Sequence, residues 1–183
     1  MPAMSVSPEE VARFDALAAT WWKPNGPMRA LHRMNPARIQ WIVERSALMT
    51  APNLMVGCCP GKDLKRPGCR GIHLLDVGCG AGVAAEALAR CGFNVLGLDA
   101  AGEAIAAARV HADGNDLPLS YRIGTAEDLL AEGRRFPVIT ALEVIEHVAN
   151  PPTFLGTLRD LLAPGLEGAW LRRLPFEKGS KPW

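Results

Sequence analysis

Leu74-Leu75-Asp76-Val77-Gly78-Cys79-Gly80-Ala81-Gly82 is the stretch on which the reading of this chain turns. Residues 72–77 form a short apolar run with the look of a buried strand. Gly78, Gly80 and Gly82 then allow a sharp turn and leave the main chain bare, so that a ligand can approach it closely. Residues 83–90 are Ala-rich and helical, and Gly92 stops them. Strand, glycine turn and helix in this order bring the positive N-terminal end of a helix to whatever the turn holds.

Working outward, the alternation continues. A second strand at 94–98 ends at Asp99, a helix follows at 101–111, further strands are expected at 119–123 and 137–142, and another helix at 152–162. Such alternation implies right-handed crossovers and an α/β fold, a mostly parallel sheet with helices on both faces. Upstream, Ser7-Pro8-Glu9-Glu10 reads as a helix start, with Ser7 as cap and Glu10 closing a capping box. That helix carries Val11, Phe14, Leu17 and Ala18 on one face before the Pro- and Gly-rich stretch at 21–27 breaks it. A second helix is expected from Asn35-Pro36 through Ile39, Ile42 and Val43. The organisation expected is a helical cap at 1–50, a loop or insertion at 51–71, a ligand-binding α/β domain at 72–165 and an atypical tail at 166–183.

Composition narrows the partners. With 20 basic against 19 acidic residues, the net charge of +1 gives no basic imbalance of the kind nucleic acid requires. No run reaches the ~20 apolar residues of a membrane helix, and no basic-then-apolar leader opens the chain. A cytoplasmic protein, or one peripheral to the inner membrane face, is expected. The five cysteines, Cys58, Cys59, Cys69, Cys79 and Cys91, fit neither a disulfide framework nor a zinc spacing and are read as reduced thiols.

The charges around the turn select the ligand class. Asp99 stands twenty-one residues after Gly78 at the end of the second strand, where a carboxylate accepts from a ribose diol. A dinucleotide site spaces its glycines by two and then three, whereas here both spacings are two. Asp76, just ahead of the turn, repels a pyrophosphate but suits a sulfonium or ammonium group. The pattern therefore favours S-adenosylmethionine over NAD. After the third strand, Glu127 or Asp128 either accepts from the adenine amino group or caps a helix. After the fourth, Glu143, Glu146 and His147 share one face of a helical turn. They read as ligands for a divalent cation, as a site where His147 acts as general base for a phenol or catechol hydroxyl, or as a solvated acidic turn.

Taken together, these residues resemble the ubiquinone-biosynthesis O-methyltransferase family. The resemblance rests on Phe14-Asp15-Ala16-Leu17-Ala18, Trp21-Trp22, Pro24-Asn25-Gly26 and Leu31-His32-Arg33-Met34-Asn35-Pro36-Ala37-Arg38. It continues in the glycine loop, in Gly97-Leu98-Asp99 and in Leu142-Glu143-Val144-Ile145-Glu146-His147-Val148. It implies a Rossmann-like class I methyltransferase fold, and S-adenosylmethionine-dependent methylation of catechol or phenol hydroxyls on polyprenylated rings. By position it implies cofactor contacts at Arg38, Gly78, Asp99 and Leu142; the reading of the turn and strand ends adds Asp76, Gly80, Gly82 and Glu127 to the expected cofactor site. It also implies a magnesium set of Glu143, Glu146 and His147, with Glu143 and His147 as the catalytic pair. Peripheral membrane contact, with the Trp21-Trp22 region as one candidate and a core role for those rings as the other, and association with other ubiquinone-biosynthesis proteins follow from such a lipid-soluble substrate.

Two departures accompany the resemblance. The segment at 51–70 is longer than the family needs, and beyond Pro164-Gly165 the chain leaves the family pattern, as if a reading frame had shifted. The late strands are expected to be missing. The competing expectation is an inactive remnant that binds S-adenosylmethionine without turnover.

Overall fold

In the computed structural model, which describes residues 7–50 and 69–164, four strands form one parallel sheet. They are β1 (His73–Val77), β2 (Asn94–Asp99), β3 (Leu119–Ile123) and β4 (Val138–Thr140), in the order β3-β2-β1-β4. Successive strand residues point to opposite faces, and Leu74 and Leu75 are both fully buried. A strand buried on both faces is the mark of a parallel sheet sandwiched between helices.

The helices divide accordingly. Leu74, Phe93 and Val95 pack with Ile39, Ile42 and Val43 of α2 (Arg29–Thr50), with Ala85, Leu88 and Ala89 of α3 (Val83–Arg90), and with Ile105 of α4 (Gly102–Ala112). On the other face, Leu75, Val77 and Leu98 meet Leu129 of α5 (Ala126–Ala131) and Phe154, Leu158 and Leu161 of α6 (Pro151–Leu161). Each fully buried Leu or Phe contributes about 1.5–3 kcal/mol by leaving water. The α/β sandwich read from the alternation is therefore present, with the strand at 119–123 in its expected place.

Three elements differ from expectation. The second helix starts at Arg29, and Pro36 lies two turns inside it. Proline forfeits a ladder donor there, but Ile39, Ile42 and Val43 seal the following turns onto the sheet. The fourth strand is only Val138–Thr140, shorter than 137–142, because the chain turns into the cavity at Glu143, which has φ +55°. A helix that the sequence offered only as one of two readings of Glu127 and Asp128, α5, starts with a complete capping box between Thr125 and Asp128.

The N-terminal segment lies across the carboxyl ends of the strands. Helix α1 (Pro8–Leu17) starts at the expected cap, with the Ser7 side chain accepting from the Glu10 amide, but Glu10 does not close the expected capping box, because its carboxylate lies beside Arg13 and His147. Asp15 reaches over to accept from the Glu103 amide at 2.9 Å, supplying the side-chain cap that α4 lacks at its own N-cap, Ala101. Beyond α6, Leu162 forms a parallel bridge to Phe136, flanked by backbone hydrogen bonds of 2.9 Å on either side. The chain thus runs alongside the approach to β4 as it leaves the described residues. The expected tail at 166–183 and nearly all of the expected insertion lie outside them, as do Cys58 and Cys59.

Candidate active site

Open parallel sheets bind ligands at the carboxyl ends of the strands where the strand order reverses. Here that point lies between β1, whose next strand in sequence is on one side, and β4 on the other. A cavity of about 320 Å³ opens there, within the ~300–1,000 Å³ usual for small-molecule sites. Its floor is built from the ends of β1 and β2 and the glycine loop. One wall is Gly124, Thr125 and Ala126, another runs from Leu142 to Val148, and α1, Trp21 and α2 complete it.

Asp76 is the central polar group. Register places it beside Thr140 on β4, and the Thr140 hydroxyl donates to Asp76 Oδ1 at 2.6 Å. The other oxygen, Oδ2, is buried with no hydrogen-bond partner among the described residues. Burial, with Asp99 nearby adding repulsion, pushes the carboxyl up to about 7 despite the Thr140 hydrogen bond. An orphaned acceptor on a residue that lines a cavity is costly to leave unmet, and a cationic ligand satisfies it.

Asp99 ends β2 as expected, but its carboxylate also holds the loop. Oδ2 accepts from the Gly80 amide and Oδ1 from the Ala101 amide, both at 2.8 Å. Burial raises its pKa against those hydrogen bonds. Each carboxylate oxygen retains a further lone pair for a diol.

The glycines make the sharp turn read in the sequence, and Gly78 and Gly80 line the cavity, but all three are also crowded by the protein's own side chains. Their Cβ positions are filled by the protein itself. A Cβ on Gly78 would sit 2.4 Å from Val144, on Gly80 2.3 Å from the Trp21 ring, and on Gly82 2.1 Å from the Tyr121 hydroxyl. All three have positive φ. The amides of Gly78 and Cys79 donate to Leu98 O, that of Gly80 to Asp99 and that of Gly82 to Cys79 O. The first three tie the loop to β2, and the last closes its turn. Gly82 is buried and, unlike Gly78 and Gly80, does not line the cavity.

The loop's carbonyls are held from above. Trp22 Nε1 donates to Ala81 O at 2.8 Å, and Asn35 Nδ2 donates to Val83 O at 3.0 Å. Trp21 is buried against Ala81, Val83, Ala101 and Ala104, and Trp22 stacks on His111 with centroids 3.3 Å apart. Trp21 takes the core role open to it, while Trp22 is half-buried beside it. Asn35, Met28, Leu31, Phe14 and Glu10 all border the cavity. Only their family-like neighbourhood signalled them, because a roof contributed from a distant segment has no local motif.

The remaining expected residues sort clearly. Arg38, Leu142, Glu143, Glu146 and His147 border the cavity. Glu127 does not, and Asp128, the alternative at that loop, is the capping residue of α5. Glu143, Glu146 and His147 fail to converge, because the Arg38 guanidinium takes the Glu143 carboxylate and His147 Nδ1 lies 2.8 Å from Glu10 Oε2. Among the described residues no three His, Cys, Asp or Glu side chains group to hold a metal ion. This triad does not fit a divalent cation as arranged. Cys79, inside the loop, is buried beside both aspartates, which pushes its thiol well up and keeps it protonated.

Comparison with known proteins agrees with this geometry. A methyltransferase domain model matches residues 59–171. The chain belongs to that methyltransferase domain family. This methyltransferase-domain chain is 44% identical over 162 residues to the ubiquinone biosynthesis O-methyltransferase of Cereibacter sphaeroides, covering 88% of itself and 62% of that protein. It is 43% identical to the protein of that name from Roseobacter denitrificans, covering 90% of itself and 62% of the relative. The chain thus spans about three-fifths of the length of these relatives. A solved magnesium protoporphyrin IX methyltransferase from Synechocystis PCC 6803, with bound SAM, shares the fold with a TM-score of 0.57 at 17% identity, over 86% of this chain and 72% of that one.

Proposed function

We propose that the cavity binds S-adenosylmethionine and that the chain is the cofactor-binding part of an O-methyltransferase of ubiquinone biosynthesis, acting on catechol or phenol hydroxyls of polyprenylated rings. The observation that carries this reading is the buried, partnerless Asp76 Oδ2 in the cavity, with Asp99 close enough to raise its pKa. Paired carboxylates in low dielectric repel a pyrophosphate and attract a cation. The relatives' name supplies the pathway and the class of acceptor.

S-adenosylmethionine, when bound, supplies a methyl group on a positively charged sulfur. Asp76 then meets its positive charge, Asp99 accepts from its ribose hydroxyls, and Leu142 gives the adenosyl group an apolar contact. Arg38 exchanges Glu143 for the ligand's carboxylate, a charge-assisted and potentially bidentate pair. Gly78 and Gly80 provide the close floor. His147 is the base for the acceptor hydroxyl, and alignment of the two reactants provides much of the rate. No step is assigned to Mg²⁺, since Glu143, Glu146 and His147 do not group as a metal site among the described residues.

Among the described residues no helix is long and apolar enough to cross a membrane. A lipid-soluble acceptor supports peripheral work at the inner membrane face, in contact with other ubiquinone-biosynthesis proteins. The test is transfer of labelled methyl from S-adenosylmethionine to a short-chain demethylated quinol. Transfer that His147→Ala lowers by about 10²–10⁴-fold, the usual size of a base contribution, supports the reading. S-adenosylhomocysteine binding without any transfer points instead to a chain that binds cofactor without turnover.

A further inference from the structure

His147 belongs to the single turn Ile145–His147 after β4, and its ring borders the cavity. The ring is held by α1, a segment far away in sequence. Phe14 meets it edge to face, with centroids 5.2 Å apart and planes at 85°. Glu10, one turn earlier on α1, brings Oε2 to 2.8 Å from Nδ1. That oxygen is buried, and the contact lacks the alignment of a hydrogen bond. Catalytic pairs are often misaligned in this way before substrate closes the site. Arg13, 3.5 Å from Glu10 Oε1, is the other charged group on this carboxylate. The Ser7 hydroxyl, accepting from the Glu10 amide, fixes the helix turn that presents it.

Which nitrogen of a neutral imidazole carries the proton is set by the partner of the other nitrogen. A carboxylate at Nδ1 selects the Nδ1–H form and leaves the Nε2 lone pair to the cavity. We propose that Glu10 is a positioning residue for His147, holding its Nδ1–H so that Nε2 takes the proton of the hydroxyl being methylated. This rests on the methyl-transfer reading of the cavity. In the step, the acceptor O–H gives its proton to Nε2, and the oxygen lone pair forms the new O–CH₃ bond. The C–S bond breaks with its pair on sulfur, and the positive charge leaves sulfur and reappears on the imidazolium. The base is complete only when α1 lies over the cavity, so the same helix that roofs the site also arms it.

The test reads the tautomer directly, by long-range ¹H–¹⁵N NMR of the chain's histidines, with His147 assigned from its loss in His147→Gln. The wild type is expected to show a protonated Nδ1 and a bare Nε2 in the neutral ring. Glu10→Ala is expected to lose that preference, and Glu10→Gln, which keeps an acceptor, to retain it. In the methyl-transfer assay, Glu10→Ala is expected to lower kcat about tenfold or more, with KM for S-adenosylmethionine within about twofold and recovery in Glu10→Gln. An Nε2–H ring in the wild type overturns the proposal without recourse to any variant. So does a tautomer unmoved by Glu10→Ala, or a kcat loss that Glu10→Gln does not recover. Titration of the same samples with S-adenosylhomocysteine reports separately on the cofactor reading, because the tautomer is measured without ligand.

Discussion

Replacing Gly80 with alanine isolates what the loop glycines do. Gly80 has φ +53°, where an L-residue pays about 1–2 kcal/mol. The added Cβ would lie 2.3 Å from Trp21 Cζ2 and 2.7 Å from Cη2, far inside contact distance. Trp21 cannot swing aside freely, because it is 6% exposed and packed against Phe14 and the floor of the cavity. Overpacking of that kind costs about 1–3 kcal/mol, which with the backbone term gives about 2–5 kcal/mol in all. For a chain of this size each kcal/mol is about 2–4 °C in Tm. The assay is urea unfolding of Gly80→Ala in the wild-type background and in Trp21→Leu. In the second background only the backbone part, about 1–2 kcal/mol, should remain. Equal losses in both backgrounds would refute the idea that Gly80 is small to admit the indole.

Three further outcomes are expected. Asp76 is raised from 3.8 to about 7, so its contribution to stability is fully present below pH ~4 and is lost as pH rises through about 7. Asp76→Asn, which keeps the Thr140 hydrogen bond, should flatten that pH dependence of unfolding and stabilise the ligand-free chain at pH 8 by up to about 4 kcal/mol. Arg38→Ala breaks a pair that is partly exposed on both sides, so stability should change by less than about 1 kcal/mol, while S-adenosylhomocysteine affinity falls tenfold or more in calorimetry. Glu143→Val, a β-branched residue forced to φ +55°, should destabilise by about 1–3 kcal/mol, whereas Glu143→Gly should lie close to wild type in thermal unfolding.

Much of the α/β core was legible in the sequence, because local pattern and global fold agree there. Strand β1 reads as a buried run and is buried on both faces. Asp76 and Asp99 were legible for the same reason, since strand ends are marked by the glycines and polar residues that follow. What escaped was set by distance. The pairing of Glu10 with His147, of Arg38 with Glu143, and of Trp22 with the Ala81 carbonyl joins segments far apart in sequence. The spacing of Glu143, Glu146 and His147 suggested one shared face, but with a left-handed residue at 143 and a short 3-10 turn Glu143 meets Arg38 and His147 meets Glu10. Helix α5 stayed one of two open readings at Glu127 and Asp128 because its six residues are too few to show a period.

The central claim is that Asp76 and Asp99 make this cavity a site for S-adenosylmethionine. Isothermal titration of the purified chain with S-adenosylhomocysteine, beside Asp99→Ala checked for its fold by circular dichroism, tests it most directly. The account predicts saturable one-to-one binding by the wild type and a loss of at least about tenfold, or 1.4 kcal/mol, in a folded variant. Wild-type affinity in Asp99→Ala, or no binding by a folded wild-type chain, would contradict it.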